Sequence, residues 1–162
     1  MSDTVRAGGH ASLRTVTPAR VPRVLIVANQ TATSPALIAE LRDRAKHGPV
    51  FFHLVVPALN TRLRHWLSDT DAAVVAARRR ARDAGAVLRS QGLTVSVETG
   101  DSVPLLAIED ALSQFNADEI VISTLPVDRS HWLEHNLVEL ARGRFSLPVR
   151  HVVAGDEVTI AA

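Results

Sequence analysis

Three consecutive stretches decide the fold of this chain: VPRVLIVA at 21–28, SPALIAELRDRAKHGP at 34–49 and VFFHLVVP at 50–57. The first and third are short and rich in β-branched residues. They are apolar at successive positions, as a strand covered by helices on both faces must be. The middle stretch opens on Ser34-Pro35. A hydroxyl there can accept from an N–H of the first turn, and a proline at the first helical position gives up only a donor that has no partner anyway. It closes on Gly48-Pro49, which cannot continue a helix. Strand, helix and strand with short connections form one right-handed parallel crossover unit.

The pattern repeats to the end of the chain. LTVSVE (93–98), EIVIST (119–124) and LPVRHVV (147–153) read as three further strands. A second helix begins near Ser68, where Ser68 and Asp71 make an S-x-x-D start, and runs to Gly92. A third opens at Gly100-Asp101, with Pro104 in its first turn, and ends near Phe115. A fourth starts near Ser130 and sets Leu133, Leu137, Val138, Leu140, Ala141 and Phe145 on one broad face. The alternation predicts an α/β fold: a doubly wound, five-stranded, Rossmann-like parallel sheet. Its core should contain Leu25, Val27, Leu54, Val56, Val95, Val121 and Ile122. One domain is expected over 21–154. Residues 1–20, rich in Gly, Ala, Ser, Thr and Arg, and 155–162 read as tails.

Composition removes several classes of function. The 162 residues carry 18 Lys+Arg against 17 Asp+Glu, a formal charge of +1, with none of the excess of a nucleic-acid-binding module. Aromatic residues are 4% with no Tyr, too few for a stacking platform. The absence of Cys excludes disulfides, thiolate metal sites and thiol nucleophiles. No apolar run approaches the roughly 20 residues of a membrane span, and Met1–Arg20 has no apolar core of the signal-peptide kind. The expectation is a cytoplasmic protein with no nucleic-acid or membrane partner.

In doubly wound sheets ligands bind outside the carboxyl ends of the strands, where the strand order reverses. The turn after the first strand, Ala28 to Ser34, contains no glycine, so it is not a G-x-G-x-x-G dinucleotide turn. The single Lys, Lys46, lies within the first helix, and no P-loop exists. No G-x-S-x-G elbow is present either. His131-Trp132-Leu133-Glu134-His135 matches H-x-x-E-H, but too little chain follows to supply the distant carboxylate such a zinc site needs. No metal site and no catalytic residue are assigned. His53 reads as a hydrogen-bonded sheet residue. Arg78, Arg79, Arg80 and Arg82 spread around a helix and read as a solvated face.

The second half of the chain carries a resemblance. Asp118-Glu119-Ile120-Val121-Ile122-Ser123-Thr124, a polar loop, a helix and then Leu147-Pro148-Val149 entering the last strand resemble the universal stress protein family. There a strand of the type ADxIVxGT leads to a loop, a helix and CPVLVV. VPRVLIVANQT resembles the family's first strand. The resemblance spans roughly 23–153 and implies the strand order 3-2-1-4-5, with an ATP or other adenine-nucleotide site in the crevice. It also implies a homodimer paired through the last strand.

The family's nucleotide binders carry G-x2-G-x9-G-[ST] in the loop after the fourth strand, and this chain departs at each glycine. Ser123-Thr124 stands for Gly-Thr, the loop Leu125–Ser130 has no glycine, and His135-Asn136 falls where Gly-Ser is usual. Asn29 falls at or beside the first-strand Asp. Val127 beside Pro126 is placed to fill space that glycine leaves empty. The candidate ligand-binding residues are Asn29, Gln30, Thr31, Val56, Ser123, Thr124, Arg129, Ser130, His135 and Asn136, with Arg129 as the charged donor and the start of the fourth helix as a further anion contact.

Three readings of function stay open. One is a small regulatory domain that holds an adenine nucleotide or similar phosphorylated ligand. Another is a ligand-free dimeric scaffold in which Arg150 and His151 interrupt the edge strand. The last is a weak nucleotide hydrolase with His135 as its base.

Overall fold

The computed structural model describes residues 19–58 and 69–155. The elements run β1 (Arg23–Val27), α1 (Pro35–Lys46), β2 (Phe51–Pro57), α2 (Asp69–Ser90) and β3 (Thr94–Gly100), then α3 (Pro104–Gln114), β4 (Glu119–Thr124), α4 (His131–Glu134), α5 (Leu137–Arg144) and β5 (Val149–Val153). All four strand pairings are parallel and the order is β3-β2-β1-β4-β5, as the sequence implied. The order reverses between β1 and β4, so the carboxyl ends of those two strands flank the crevice.

Alternation along the central strands divides the core. Val24, Ile26, Leu54, Val56 and Val121 face one side, under Leu37 and Leu41 of α1 and Ala77, Ala81, Ala84 and Leu88 of α2. Leu25, Val27, Val55, Ile120 and Ile122 face the other, under Ala107, Ile108 and Ala111 of α3 and Leu137, Val138 and Ala141 of α5. Each fully buried Val, Leu or Ile contributes about 1.5–3 kcal/mol, so these two layers, rather than any surface pair, hold the sheet. The seven core positions expected from the sequence are all buried.

The local signals act as expected at α1. The Ser34 hydroxyl accepts from the Leu37 N–H at 3.2 Å, and Pro35 occupies the first turn. Gly92, at φ 81°, ends α2 in the left-handed conformation that closes many helices. Gly100 behaves differently from its expected place at a helix start. It is the last residue of β3, pressed against Ala107 and Val55. Asp101 makes the turn into α3, its carboxylate accepting from the Val103 N–H at 2.8 Å.

The fourth helix is not continuous. Asn136 sits in the left-handed region at φ 53°, splitting the expected helix into the single turn of α4 and the longer α5. An L residue interrupts the i to i−4 ladder there, and Asn tolerates that conformation better than most. The break resets the helical phase, so Leu140 is 51% exposed rather than buried. Ser68 of the expected second-helix start, and almost all of both expected tails, lie outside the described residues. Among the described residues no helix is long and apolar enough to cross a membrane.

Candidate functional site

A cavity of about 80 Å³ opens at the strand-order reversal, lined by residues from three segments. Asn29, Gln30 and Thr31 come from the turn after β1; Ser123, Thr124 and Leu125 from the end of β4; Arg129, Ser130, His131 and Trp132 from the following loop and α4. A narrow turn holds the first segment, with Ala32 N–H on the Asn29 carbonyl at 3.2 Å and Ser34 N–H on the Thr31 carbonyl at 3.0 Å. A second turn shapes the loop, where Arg129 N–H reaches the Pro126 carbonyl at 2.9 Å. The Thr31 hydroxyl donates to the Ser123 carbonyl at 2.9 Å, which ties the ends of β1 and β4 together.

The polar side chains of the site divide into engaged and unengaged groups. Asn29, 4% exposed, donates through Nδ2 to the Pro57 carbonyl at 2.6 Å and accepts through Oδ1 from Arg80 of α2. Thr124 shares a hydrogen bond of 2.8 Å with His151 Nε2. Burial pushes the His151 imidazole below its ordinary pKa, and the charge of Arg142 adds to that. By contrast, the Ser123 hydroxyl and the Trp132 indole N–H are buried and find no hydrogen-bond partner among the described residues. Both belong to residues that line the cavity, whose lining also includes Arg129 and, among the described residues, contains no carboxylate.

Seven of the ten residues expected at the site meet here: Asn29, Gln30, Thr31, Ser123, Thr124, Arg129 and Ser130. Val56 does not; it is 0% exposed in the layer beneath α1 and α2, because even-numbered positions of β2 face inward on that side. His135 and Asn136 also fall outside the lining, exposed beyond the end of α4, where the break at Asn136 carries them away. With only one turn, α4 lacks the aligned peptides that would give the expected anion-binding helix start. Val127 does not fill the crevice; it is 74% exposed at the tip of the loop.

Two residues that matter at the site were not singled out in the sequence. Arg80 belongs to the run read as a solvated face, yet it is half-buried and bonded to Asn29. Its place is legible in retrospect: it lies three residues after Ala77 and four before Ala84, both on the buried stripe of α2. Trp132 stood in the H-x-x-E-H match only as a spacer, and no periodic signal marks it. Among the described residues no group of His, Cys, Asp or Glu is arranged to hold a metal ion. His53 is a sheet residue, with Nδ1 on Ser96 Oγ at 2.7 Å, Nε2 3.2 Å from Glu98 and its ring stacked on Phe115 at 5.0 Å.

No protein-family model matches the chain, and no curated protein matches it in sequence. Solved structures do. A universal stress protein from Archaeoglobus fulgidus in complex with dAMP superposes with a TM-score of 0.57 at 15% identity, over 82% of this chain and 98% of that one. Another structure of universal stress protein from Archaeoglobus fulgidus gives 0.55 at 17% identity, over 82% and 98%. A protein of the universal stress protein family from Burkholderia pseudomallei gives 0.51 at 22% identity, over 80% and 93%. This chain therefore has the fold of universal stress proteins.

Proposed function

We propose that this domain is a small regulatory module of the cytoplasm that holds a phosphorylated ligand, an adenine nucleotide such as ATP or AMP, at the carboxyl ends of β1 and β4. The observation that carries this reading is the cavity at the strand-order reversal, whose lining combines hydroxyl groups with Arg129 and, among the described residues, includes no carboxylate. Such a lining favours an anion, and Arg129 can supply charge-assisted hydrogen bonds in place of the missing glycine amides. The dAMP in the Archaeoglobus fulgidus structure of the same fold supports the choice of an adenine nucleotide. The hydrolase alternative has no support at the site, since its candidate base, His135, lies outside the cavity lining.

Mass spectrometry of the purified protein tests for a retained nucleotide, and calorimetry with ATP, ADP and AMP measures affinity. Loss of a hydrogen bond to a charged group costs about 1.5–3 kcal/mol, so Arg129→Ala should weaken binding at least about tenfold. Arg79→Ala, on the exposed side of α2, should leave it unchanged. No retained nucleotide and no heat at millimolar ligand would overturn the reading.

A specific observation favours a second reading, the ligand-free dimeric scaffold. β5 is an edge strand, and Val153 on it is 45% exposed. Its two polar residues turn back into this chain, Arg150 to Glu40 and His151 to Thr124, instead of guarding the edge. A homodimer paired through β5 would cover that edge. Light scattering at tens of micromolar tests it, and a monomer there would remove it.

A further inference from the structure

Ser96, His53 and Glu98 form a chain of contacts outside the crevice. Ser96 and Glu98 are two residues apart on β3 and share one face of the sheet, and His53 lies directly opposite Ser96 in the β2–β3 register. Ser96 Oγ is 2.7 Å from His53 Nδ1, and His53 Nε2 is 3.2 Å from Glu98 Oε1. An ionised carboxylate can only accept, so Nε2 carries the proton donated to Glu98. Nδ1 of the neutral ring is then an acceptor, and the Ser96 hydroxyl donates to it. The other acceptor near that hydroxyl, the Phe52 carbonyl, is more distant at 3.5 Å. Hydroxyl, imidazole and carboxylate in this order are an activated nucleophile, its base and the group that orients the base.

The surroundings suit those roles. The His53 ring stacks on Phe115 at 5.0 Å, and the Arg23 guanidinium lies over the same Phe115 ring at 4.2 Å. The His53 side chain is 13% exposed, whereas Ser96 is open to solvent. The base is therefore held while the hydroxyl can be reached. β3 is an edge strand. The Ala58 N–H donates to the Gly100 carbonyl at 3.1 Å, so Gly100 directs its backbone groups toward β2. Backbone direction alternates along a strand, so Ser96 and Glu98 also face β2, and Val95 and Val97 face the open edge. The same phase lets Arg89 Nε reach the Val95 carbonyl from α2 at 3.0 Å. The Val97 N–H, next to Ser96 in the chain, is thus an outward donor for a developing oxyanion. Phe51, 46% exposed and two residues before His53 on the same face, offers an apolar rest for an acyl or aryl group.

We propose that Ser96 is an acyl-acceptor site that takes the acyl group of a small ester with a good leaving group. Ser96 Oγ forms a bond to the carbonyl carbon while its proton passes to His53 Nδ1. The bond from that carbon to the leaving oxygen breaks, and its electron pair stays on that oxygen. Glu98 steadies the imidazolium, which gives its proton to the leaving oxygen. The site goes beyond the reading of the crevice and does not depend on it. It lies near the middle of β2 and β3 on the face under α3, and none of its three residues lines the cavity.

The test uses the full chain with p-nitrophenyl acetate as the probe. Absorbance follows release of p-nitrophenolate, and peptide mass spectrometry locates the acetyl groups. Ser96 should be acetylated about 100-fold faster or more than Ser90 and Ser113, exposed serines whose hydroxyls donate to backbone carbonyls. Ser96→Ala should remove the fast phase. His53→Gln should slow acetylation of Ser96 about 100-fold or more. Glu98→Gln should slow it as well, and Glu98→Asp should recover part of that loss, which a merely structural carboxylate would not do.

The comparison of Ser96 with Ser90 and Ser113 in the parent chain decides the matter even where a variant does not fold. Equal rates at the three serines, or acetyl groups confined to Lys46 and the α-amino group, would overturn the proposal. So would acetylation of Ser96 that His53→Gln leaves unchanged.

Discussion

Arg80 of α2 donates to the side-chain oxygen of Asn29 at the carboxyl end of β1, while the nitrogen of the same amide donates to the Pro57 carbonyl at the end of β2. One buried amide therefore joins a helix and two strands at the lip of the cavity. Asn29→Ala leaves a buried carbonyl and a guanidinium without this partner and should cost about 1–3 kcal/mol. A double-mutant cycle with Arg80→Ala, read by urea unfolding, should give a coupling energy of about 0.5–3 kcal/mol. Additive losses would show that the contact contributes nothing.

Gly100 is required for its lack of a side chain. A Cβ there would lie 2.6 Å from the Ala107 Cβ and 2.7 Å from the Val55 Cγ1. Gly100→Ala should therefore push α3 off the sheet and destabilise the domain by about 1–3 kcal/mol. Adding Ala107→Gly should recover part of that loss by opening one of the two contacts. Unfolding midpoints of the three variants decide it, and an unchanged Gly100→Ala midpoint would refute the close approach.

His151 makes stability depend on pH in a definite direction. Burial, then the charge of Arg142, lowers its pKa in the folded chain. As pH falls below about 6.5, the usual histidine value, the unfolded chain takes up the proton first and folding is penalised. The penalty grows through the window down to the lowered folded value and then levels off. His151→Gln, which retains a polar partner for Thr124, should flatten the fall in the urea midpoint between pH 7.5 and 5. A slope equal to that of the parent chain would show that His151 does not titrate differently on folding.

Arg44 links α1 to β4 through a half-buried network. Its Nη2 lies 2.7 Å from Glu119 Oε1 and 3.0 Å from Glu40 Oε1, and Arg150 Nε lies 2.6 Å from the same Glu40 oxygen. Burial works against its charge, but the hydrogen bonds and charges of Glu119 and then Glu40 raise its pKa overall. Exposed pairs contribute up to about 1 kcal/mol and breaking a buried one costs about 3–5. Arg44→Met should fall between these, near 2 kcal/mol, and Glu119→Gln added to it should cost little more. A loss below about 0.5 kcal/mol would mean that solvent screens the network.

Much of the fold was legible in the chain. The strands from 21–28 to 147–153 are short apolar runs of fixed texture, and Ser34-Pro35 and Gly92 mark helix ends through purely local chemistry. The site was legible where residues follow a strand directly. Asn29 to Thr31 and Ser123-Thr124 had to lie at the reversal once the strand order was known. It was not legible beyond the first turn of the following helix. His135 and Asn136 were aligned by counting along the chain, and one left-handed residue at 136 breaks that count.

By itself the sequence determined the element order, the parallel sheet and the buried faces of its strands, because these follow from periodicity and local capping, which act over a few residues. The tertiary structure decided which polar groups share a partner. Arg80 meets Asn29 across 51 residues, and Ser123 and Trp132 border one cavity from different segments. Hydrogen bonding depends on angles and on distances within a few tenths of an ångström. Those are set by how α2 and the loop after β4 pack on the sheet, and no spacing along the chain encodes them.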